Sequence, residues 1–385
     1  MSTARRALLA SLVGVALAAP TVARQAFAQS DSSAWTSDRV VAPTDRAGGA
    51  KLLKSAPAPT PGQGGITTNG AVFTTRAPLA PAGGIPQLPS SPPLTGDSSI
   101  AKTGAGGDPA YEAFDLGRYQ TALELAKAAS ERGEPQAATL IGRLYQEGLG
   151  VPRDDVQAAT WYRRGAELGD INAIFAFGVM LDEGGALKKD RDGAAKMFES
   201  AAAKGHIVAN YNLAMLFLMG EGKPLNPRRA LAHLTYSADK GLPQAQYDLA
   251  TLYATGTGTD ANAFDAARWL ERAAASGVPE AQLDFGIILF QGKGVPVDEK
   301  RGADMFRQAA AKGNAVAQNR FARCQHHGRG VPANPVEAAT WHLIAKGNGI
   351  DDAVLEQALG KLSKPDRLKA DQAATLWRDR TSVLQ

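Results

Sequence analysis

The stretch AATLIGRLYQEGLGVPRDDVQAATWYRRGAELG, residues 137–169, decides the fold. Read alone, its centre resembles a ligand loop. Gly148 and Gly150 can bring backbone N–H groups to an anion, and Asp154 and Asp155 follow as candidate cation ligands. The rest of the chain argues for a corner instead. Glycines recur at 133, 169, 205, 241, 277, 313 and 349, each 36 residues after the last. An alanine follows each by four residues, from Ala137 to Ala353, and a small residue follows each by nine, from Gly142 to Ala358. Six copies carry a further glycine in step: Gly148, Gly184, Gly220, Gly256, Gly292 and Gly328. Six full repeats therefore run from about 133 to 348.

Within one repeat the apolar spacing is helical. Ala137, Ile141, Leu144 and Tyr145 fall on one face of a helix A over about 136–147. Ala158, Ala159, Trp161, Tyr162 and Ala166 do the same for a helix B over about 155–167. Gly142 and its equivalents let a neighbouring helix come close. Helix A stops at Gly148, the C′ residue that needs positive φ, and Pro152 blocks continuation. Asp154 then caps helix B, and its column reads Asp154, Asp190, Asn226, Asn262, Asp298 and Asn334, all favoured caps. Pro227 and Pro335 take the first helical position after the cap, and Gln157 and Glu337 complete capping boxes. No Lys-Ser/Thr pair follows the glycines, as a phosphate loop requires, and the acidic residues lack calcium-loop spacing.

The segments on either side differ. Arg5 and Arg6, the apolar run Ala7–Ala19 and the small-x-small site Ala26-Phe27-Ala28 read as an export signal over 1–28. The run is 13 residues, too short to span a bilayer. The general secretory route fits better than the twin-arginine one, because Ala4 and Ala7 depart from the usual flanks; a retained N-terminal anchor is the alternative. Residues 29–108 hold 10 Pro and 12 Gly without a period, the composition of a disordered tether. From Asp108-Pro109, a cap followed by proline, a helix pair occupies 109–132 with a break at Gly117. Capping helices close the chain over 349–385. Leu368, Ala370, Ala374, Leu376 and Trp377 give the last of them an apolar side that shields the final repeat.

Charge and cysteine usage narrow the function classes. The chain carries 42 basic and 38 acidic residues, a net charge of +4. Without Arg5, Arg6 and Arg24 the mature balance is close to neutral, so no basic surface for nucleic acid is implied. Cys324 is the single cysteine, which leaves no internal disulfide. No serine–histidine–acid pattern is recognisable. Cys324, His326, His327 and His342 form the one conceivable metal group, but the Cys324 column holds Leu144, Met180, Leu216, Leu252 and Ile288 elsewhere, so the thiol points to the core. Trp161, Trp269 and Trp341 share a column, which core packing explains better than base stacking. The reading is no enzyme, no cofactor and no metal.

The spacing, small columns, GxG turn and cap resemble Sel1-like repeats, 36-residue relatives of tetratricopeptide repeats. AQLDFGIILFQGKGVPVDEKRGADMFRQAAAKG, residues 281–313, carries the likeness as clearly as 137–169. The resemblance covers about 133–360, and the pair at 109–132 is similar to a shorter tetratricopeptide-like unit. The second copy departs, with Ala186 for the second glycine and Lys188 for the proline, which implies a looser corner. The likeness implies an all-α, right-handed α-solenoid of antiparallel helix pairs with helix A on the concave face. It also implies an adaptor that binds a protein or peptide, with several exported relatives in envelope signalling or host contact. Cysteine-rich relatives are linked to β-lactams, an activity this cysteine-poor chain gives no reason to inherit.

By analogy with tetratricopeptide repeats, the groove positions in the third copy are Val208, Tyr211, Met215, Leu218 and Met219. Their neighbours are Phe175, Val179, Tyr247, Leu283, Ile287 and Phe290. Arg143, Gln146 and Glu147 flank them at one end, and Asn319, Arg323, His326 and His327 at the other. An apolar middle with polar ends suits a peptide or an amphipathic helix. The alternative is that superhelix curvature, or the tether folded back, covers these side chains. The chain thus reads as a periplasmic or secreted monomer that binds a protein or peptide, not nucleic acid, with no stable membrane insertion after signal cleavage. A cell-wall protein that binds or hydrolyses peptidoglycan or β-lactams is the alternative function.

Overall fold

The computed structural model describes residues 108–382, so the signal and the tether up to residue 107 lie outside the described residues. Among the described residues there are sixteen helices and no strand, and each of the first fourteen helices packs on the next, an all-α solenoid. The first pair is α1 (Pro109–Asp115) and α2 (Tyr119–Glu131). Six A/B pairs follow: α3 (Pro135–Glu147) with α4 (Asp155–Glu167), α5 (Ile171–Glu183) with α6 (Arg191–Ala203), and α7 (Ile207–Met219) with α8 (Pro227–Asp239). Then come α9 (Pro243–Thr255) with α10 (Ala263–Ala275), α11 (Pro279–Gln291) with α12 (Glu299–Ala311), and α13 (Ala315–His327) with α14 (Pro335–Gly347). The chain ends with α15 (Ala353–Gly360) and α16 (Lys364–Ser382). None of the described helices is long and apolar enough to cross a membrane.

The corner between A and B is built from the quoted glycines. Gly148 is left-handed at φ 67° and returns its N–H to Leu144 O; Gly220, Gly256, Gly292 and Gly328 repeat that geometry. All six cap side chains accept first-turn N–H groups of their B helix. The capping boxes expected of Gln157 and Glu337 do not close in the reciprocal way. The N–H of each cap residue is already bound by a carbonyl of the A helix nine residues earlier. Asp154 donates to Tyr145 O at 3.0 Å, Asn226 to Phe217 O at 2.9 Å and Asn334 to Gln325 O at 2.9 Å. Asp190, Asn262 and Asp298 repeat the bond with Leu181, Tyr253 and Leu289. The cap therefore satisfies helix B through its side chain and pins helix A through its backbone.

The second glycine of the corner has another task. Gly294 is at φ 79°, and a Cβ there would overlap the carbonyl of Ala263, in the first turn of the preceding B helix. Gly222, Gly258 and Gly330 stand in the same relation to Arg191, Pro227 and Glu299, and Gly150 to Tyr119 and Gln120. Five of the six corners thus rest on the helix pair before them. The second corner, with Ala186, takes another path: Gly184 sits at φ 79° and ψ −145°, and Ala186 and Leu187 pack against the cluster of Ala158, Ala159, Tyr162 and Met180. It still keeps the closing bond, Asp190 N–H to Leu181 O at 2.8 Å.

The small column on helix A receives the partner B helix. A Cβ on Gly142 would fall 2.8 Å from the Tyr162 ring, and one on Gly286 would fall 2.6 Å from the Phe306 ring. Gly178 meets Phe198 likewise. Where the column is Ala214, Ala250 or Ala322, the B-helix position holds Leu234, Leu270 or His342 instead of a phenylalanine or tyrosine ring. Volume is shared between the two columns, as close packing demands. From the third copy onward, a buried amide also bridges repeats. The side chains of Asn210, Gln246, Gln282 and Gln318 donate to Ala202, Ala238, Ala274 and Ala310 O near the end of the previous B helix. Each of these carbonyls also accepts the N–H of the glycine three residues on, so the amide adds a second, inter-repeat bond at the helix end.

At the C-terminus α16 packs on α14, burying Ala370 and Ala374, with Trp377 6.2 Å from Trp341. Leu368 and Leu376 lie on the other side of the helix, 57% and 61% exposed, so the apolar side expected there is narrower than the sequence suggested.

Gly294 and Gly313 both have positive φ, yet a Cβ at Gly313 meets nothing within 4 Å. Alanine at either position carries the left-handed penalty of about 1–2 kcal/mol. Gly294→Ala adds an overpacking cost of about 1–3 kcal/mol. Chemical denaturation of the two variants should show Gly294→Ala as clearly the less stable; equal losses would mean the corner does not bear on the preceding repeat.

Candidate binding face on the A helices

Of the eleven groove residues, Phe175, Val179, Leu218, Met219, Leu283, Ile287 and Phe290 are half-buried hydrophobics that edge the main core clusters, and Val208 is half-buried as well. The other three, Tyr211, Met215 and Tyr247, are buried, and open groove positions they are not. The tyrosines owe this to a bond between repeats. Tyr211 donates its hydroxyl to Asp248 Oδ2 at 2.9 Å, and Tyr247 to Asp284 Oδ2 at 2.8 Å. Each rung links the A helix of one copy to that of the next, α7 to α9 and α9 to α11. Met215 lies in the same core cluster as Tyr211 and Tyr247.

The rungs set unusual electrostatics. Burial pushes the Asp248 carboxyl up to about 6, with the hydrogen bonds from Tyr211 and Gln244 pulling against it. Burial pushes Asp284 up to about 7; the bond from Tyr247 opposes this and Glu280 adds to it. Burial, then the facing aspartate, lifts both tyrosine hydroxyls well above their ordinary value. Sequence reading missed these pairs. The available signal was a tyrosine followed 37 residues later by an aspartate, one period plus one, twice over.

One copy earlier the rung is broken. Phe175 takes the tyrosine position and Asn212 the aspartate position. The Phe175 ring stacks on His206 at 4.4 Å, and neither amide atom of the buried Asn212 has a hydrogen-bond partner among the described residues. His206 caps α7 by accepting the Ala209 N–H, and burial pulls its imidazole down to about 4, which keeps it neutral.

The polar ends are tied up internally. Arg143 pairs with Glu147 at 2.8 Å and lies over the Phe114 ring, and Gln146 accepts the Tyr162 hydroxyl. Arg323 and Asn319 both donate to Asp352 Oδ2, at 2.6 and 2.8 Å. Asp352 also caps α15, so this cluster joins the last repeat to the terminal helices. Cys324 is fully buried, and burial pushes its thiol up to about 12, so it stays protonated. Trp269 is buried under Arg272, and Trp161 and Trp341 are half-buried beside core clusters.

The corner, the shared columns and the repeat-to-repeat contacts are a family signature. The Sel1 repeat family matches residues 135–170, 171–206, 207–242, 243–278, 279–314 and 315–349. The chain belongs to the Sel1 repeat family. Among solved structures it is similar to a Sel1 repeat protein from Oxalobacter formigenes, at 27% identity and a TM-score of 0.56, over 62% of this chain and 98% of that one. It is also similar to c5321, a protective antigen present in uropathogenic Escherichia coli strains that displays an SLR fold. There the identity is 27% and the TM-score 0.48, over 68% of this chain and 64% of that one. No curated protein matches the chain. Sel1 repeat proteins are in general scaffolds for protein–protein interaction, and the fold is typically non-enzymatic.

Phe175→Tyr should restore the broken rung by giving Asn212 a hydroxyl partner. A buried hydrogen bond contributes about 1 kcal/mol, so the melting temperature should rise by about 2–4 °C. The control Phe175→Leu, which offers no hydroxyl, should lower it.

Proposed function

We propose that this Sel1 repeat protein is an exported, non-enzymatic adaptor that holds a protein or peptide along the A-helix face of its second to fifth repeats, in the bacterial envelope or outside the cell. The observation that carries this reading is the run of half-buried apolar side chains on that face, Phe175, Val179, Leu218, Met219, Leu283, Ile287 and Phe290. Partly covered aliphatic and methionine side chains present adaptable apolar area to a partner at little ordering cost. The periodic columns are committed to corners and core, so specificity has to come from A-helix positions that vary between copies.

The test uses half-buried positions, because charge at buried Met215 would disrupt the core. Met219→Gln combined with Ile287→Gln should keep the helical signal and melting temperature close to wild type. The same protein should lose a partner that the wild type captures by cross-linking in an envelope fraction. A double variant that still captures the partner would move the binding site off this face.

Export rests on the Arg5-Arg6, Ala7–Ala19 and Ala26-Phe27-Ala28 pattern. N-terminal sequencing of the protein from an expressing bacterium should find a mature start near Gln29; a start at the initiator would refute export through this signal.

A further inference from the structure

Two buried carboxyls on the A-helix seam have no part in corner, cap or groove. Asp248 is 4% exposed and Asp284 is 8% exposed. Asp248 accepts from Tyr211 of α7 and, through Oδ1, from Gln244 of its own helix at 3.2 Å. Asp284 accepts from Tyr247 of α9. The charged groups nearby do not neutralise them. On α11 the group acting on Asp284 is Glu280, of like charge, and Tyr247 is the titratable neighbour on α9.

The B helices packed against α9 and α11 offer no cation either: no Lys or Arg acts on Asp248 or Asp284, and Arg228 of α8 and Lys300 of α12 are exposed. On α8, Arg229 lies over the Phe217 ring near Glu199 and His233 bonds Asn210; Lys240, just past the helix end, lies over the Tyr236 ring. On α10, Arg268 pairs with Asp265, Arg272 lies over Trp269, and Glu271 pairs with Arg301. On α12, Glu299 pairs with Arg329 and Asp304 with Arg307.

We infer that the Tyr211–Asp248 and Tyr247–Asp284 rungs form a pH-responsive seam between the third, fourth and fifth repeats, tight while the carboxyls hold their protons and loosened when they ionise. The geometry supports both states. A protonated Asp248 or Asp284 donates its O–H to the tyrosine oxygen, and an ionised one accepts the tyrosine O–H, so the bond survives while a charge appears in the core. A buried carboxylate without a cation is costly, and the chain relieves it by admitting water between successive A helices. The seam belongs to the repeat array itself and does not depend on which partner binds.

The sign follows from linkage. Carboxyls that hold their protons more tightly folded than unfolded favour folding at low pH. That contribution is lost as pH climbs from the ordinary range near 4 through about 6 for Asp248 and about 7 for Asp284. His206 and His233, held neutral by burial, push the other way, so the readout is the difference between wild type and variant.

The experiment melts the full chain and its Asp248→Asn/Asp284→Asn variant at steps from pH 5 to pH 8. It also follows amide exchange in α9 and α11, corrected for the intrinsic pH effect. Asparagine keeps an acceptor for each tyrosine and cannot ionise. Wild type should lose ground to the variant by about 5 °C or more across this range, with exchange in α9 and α11 rising in wild type alone. A pH-independent difference would overturn the seam. If the double variant does not fold, Tyr211→Phe/Tyr247→Phe serves, because loss of the hydroxyls should move the wild-type loosening to higher pH; a uniform drop in stability with no such move would overturn the proposal equally.

Discussion

The bond from each cap's backbone N–H to an A-helix carbonyl nine residues back is the constraint on which the rest depends. It turns a loop into a rigid corner, and the glycine two residues after the helix stop then lies directly against the first turn of the previous B helix. A helix pair of this length cannot bury its apolar stripe by itself; stacking buries it. The corner is therefore where one repeat sets the position of its neighbour. Side-chain capping alone would leave that relation free, because a cap satisfies its own helix and says nothing about the one before.

Above that frame the packing tolerates substitution only in matched sets. Glycine on helix A accompanies Tyr162, Phe198 or Phe306 on helix B, and alanine accompanies Leu234, Leu270 or His342. The second corner shows the same logic. It lacks the glycine of the close approach, fills the space with Ala186 and Leu187, and retains the closing bond. Its backbone differs, but the link that defines a corner is kept.

The A-helix face carries both the inter-repeat seam and the surface proposed for partner binding. Its middle holds a polar seam of tyrosine–aspartate rungs inside an otherwise apolar array, and its half-buried hydrophobics lie around that seam. Hydroxyl–carboxyl hydrogen bonds fix the register of these adjacent A helices, where the array's end uses an ion pair, Arg323 with Asp352, to join the last repeat to α15.

The sequence by itself determined the helices, their ends and the repeat. Corner glycines, caps and the alternation of small and large residues act within a few residues of chain or within one period, so their columns are visible in a single copy compared with the next. Membership of the Sel1 family is legible for the same reason. What only the tertiary structure decided lies between copies. The capping boxes of Gln157 and Glu337 fail because the cap N–H is taken by another helix. Tyr211, Met215 and Tyr247 looked like groove residues because a helical wheel shows which way a side chain leaves its own helix. It does not show that the next A helix brings Asp248 or Asp284 to within 3 Å of that tyrosine hydroxyl. Local periodicity fixes direction, and burial is fixed by the neighbour that arrives there.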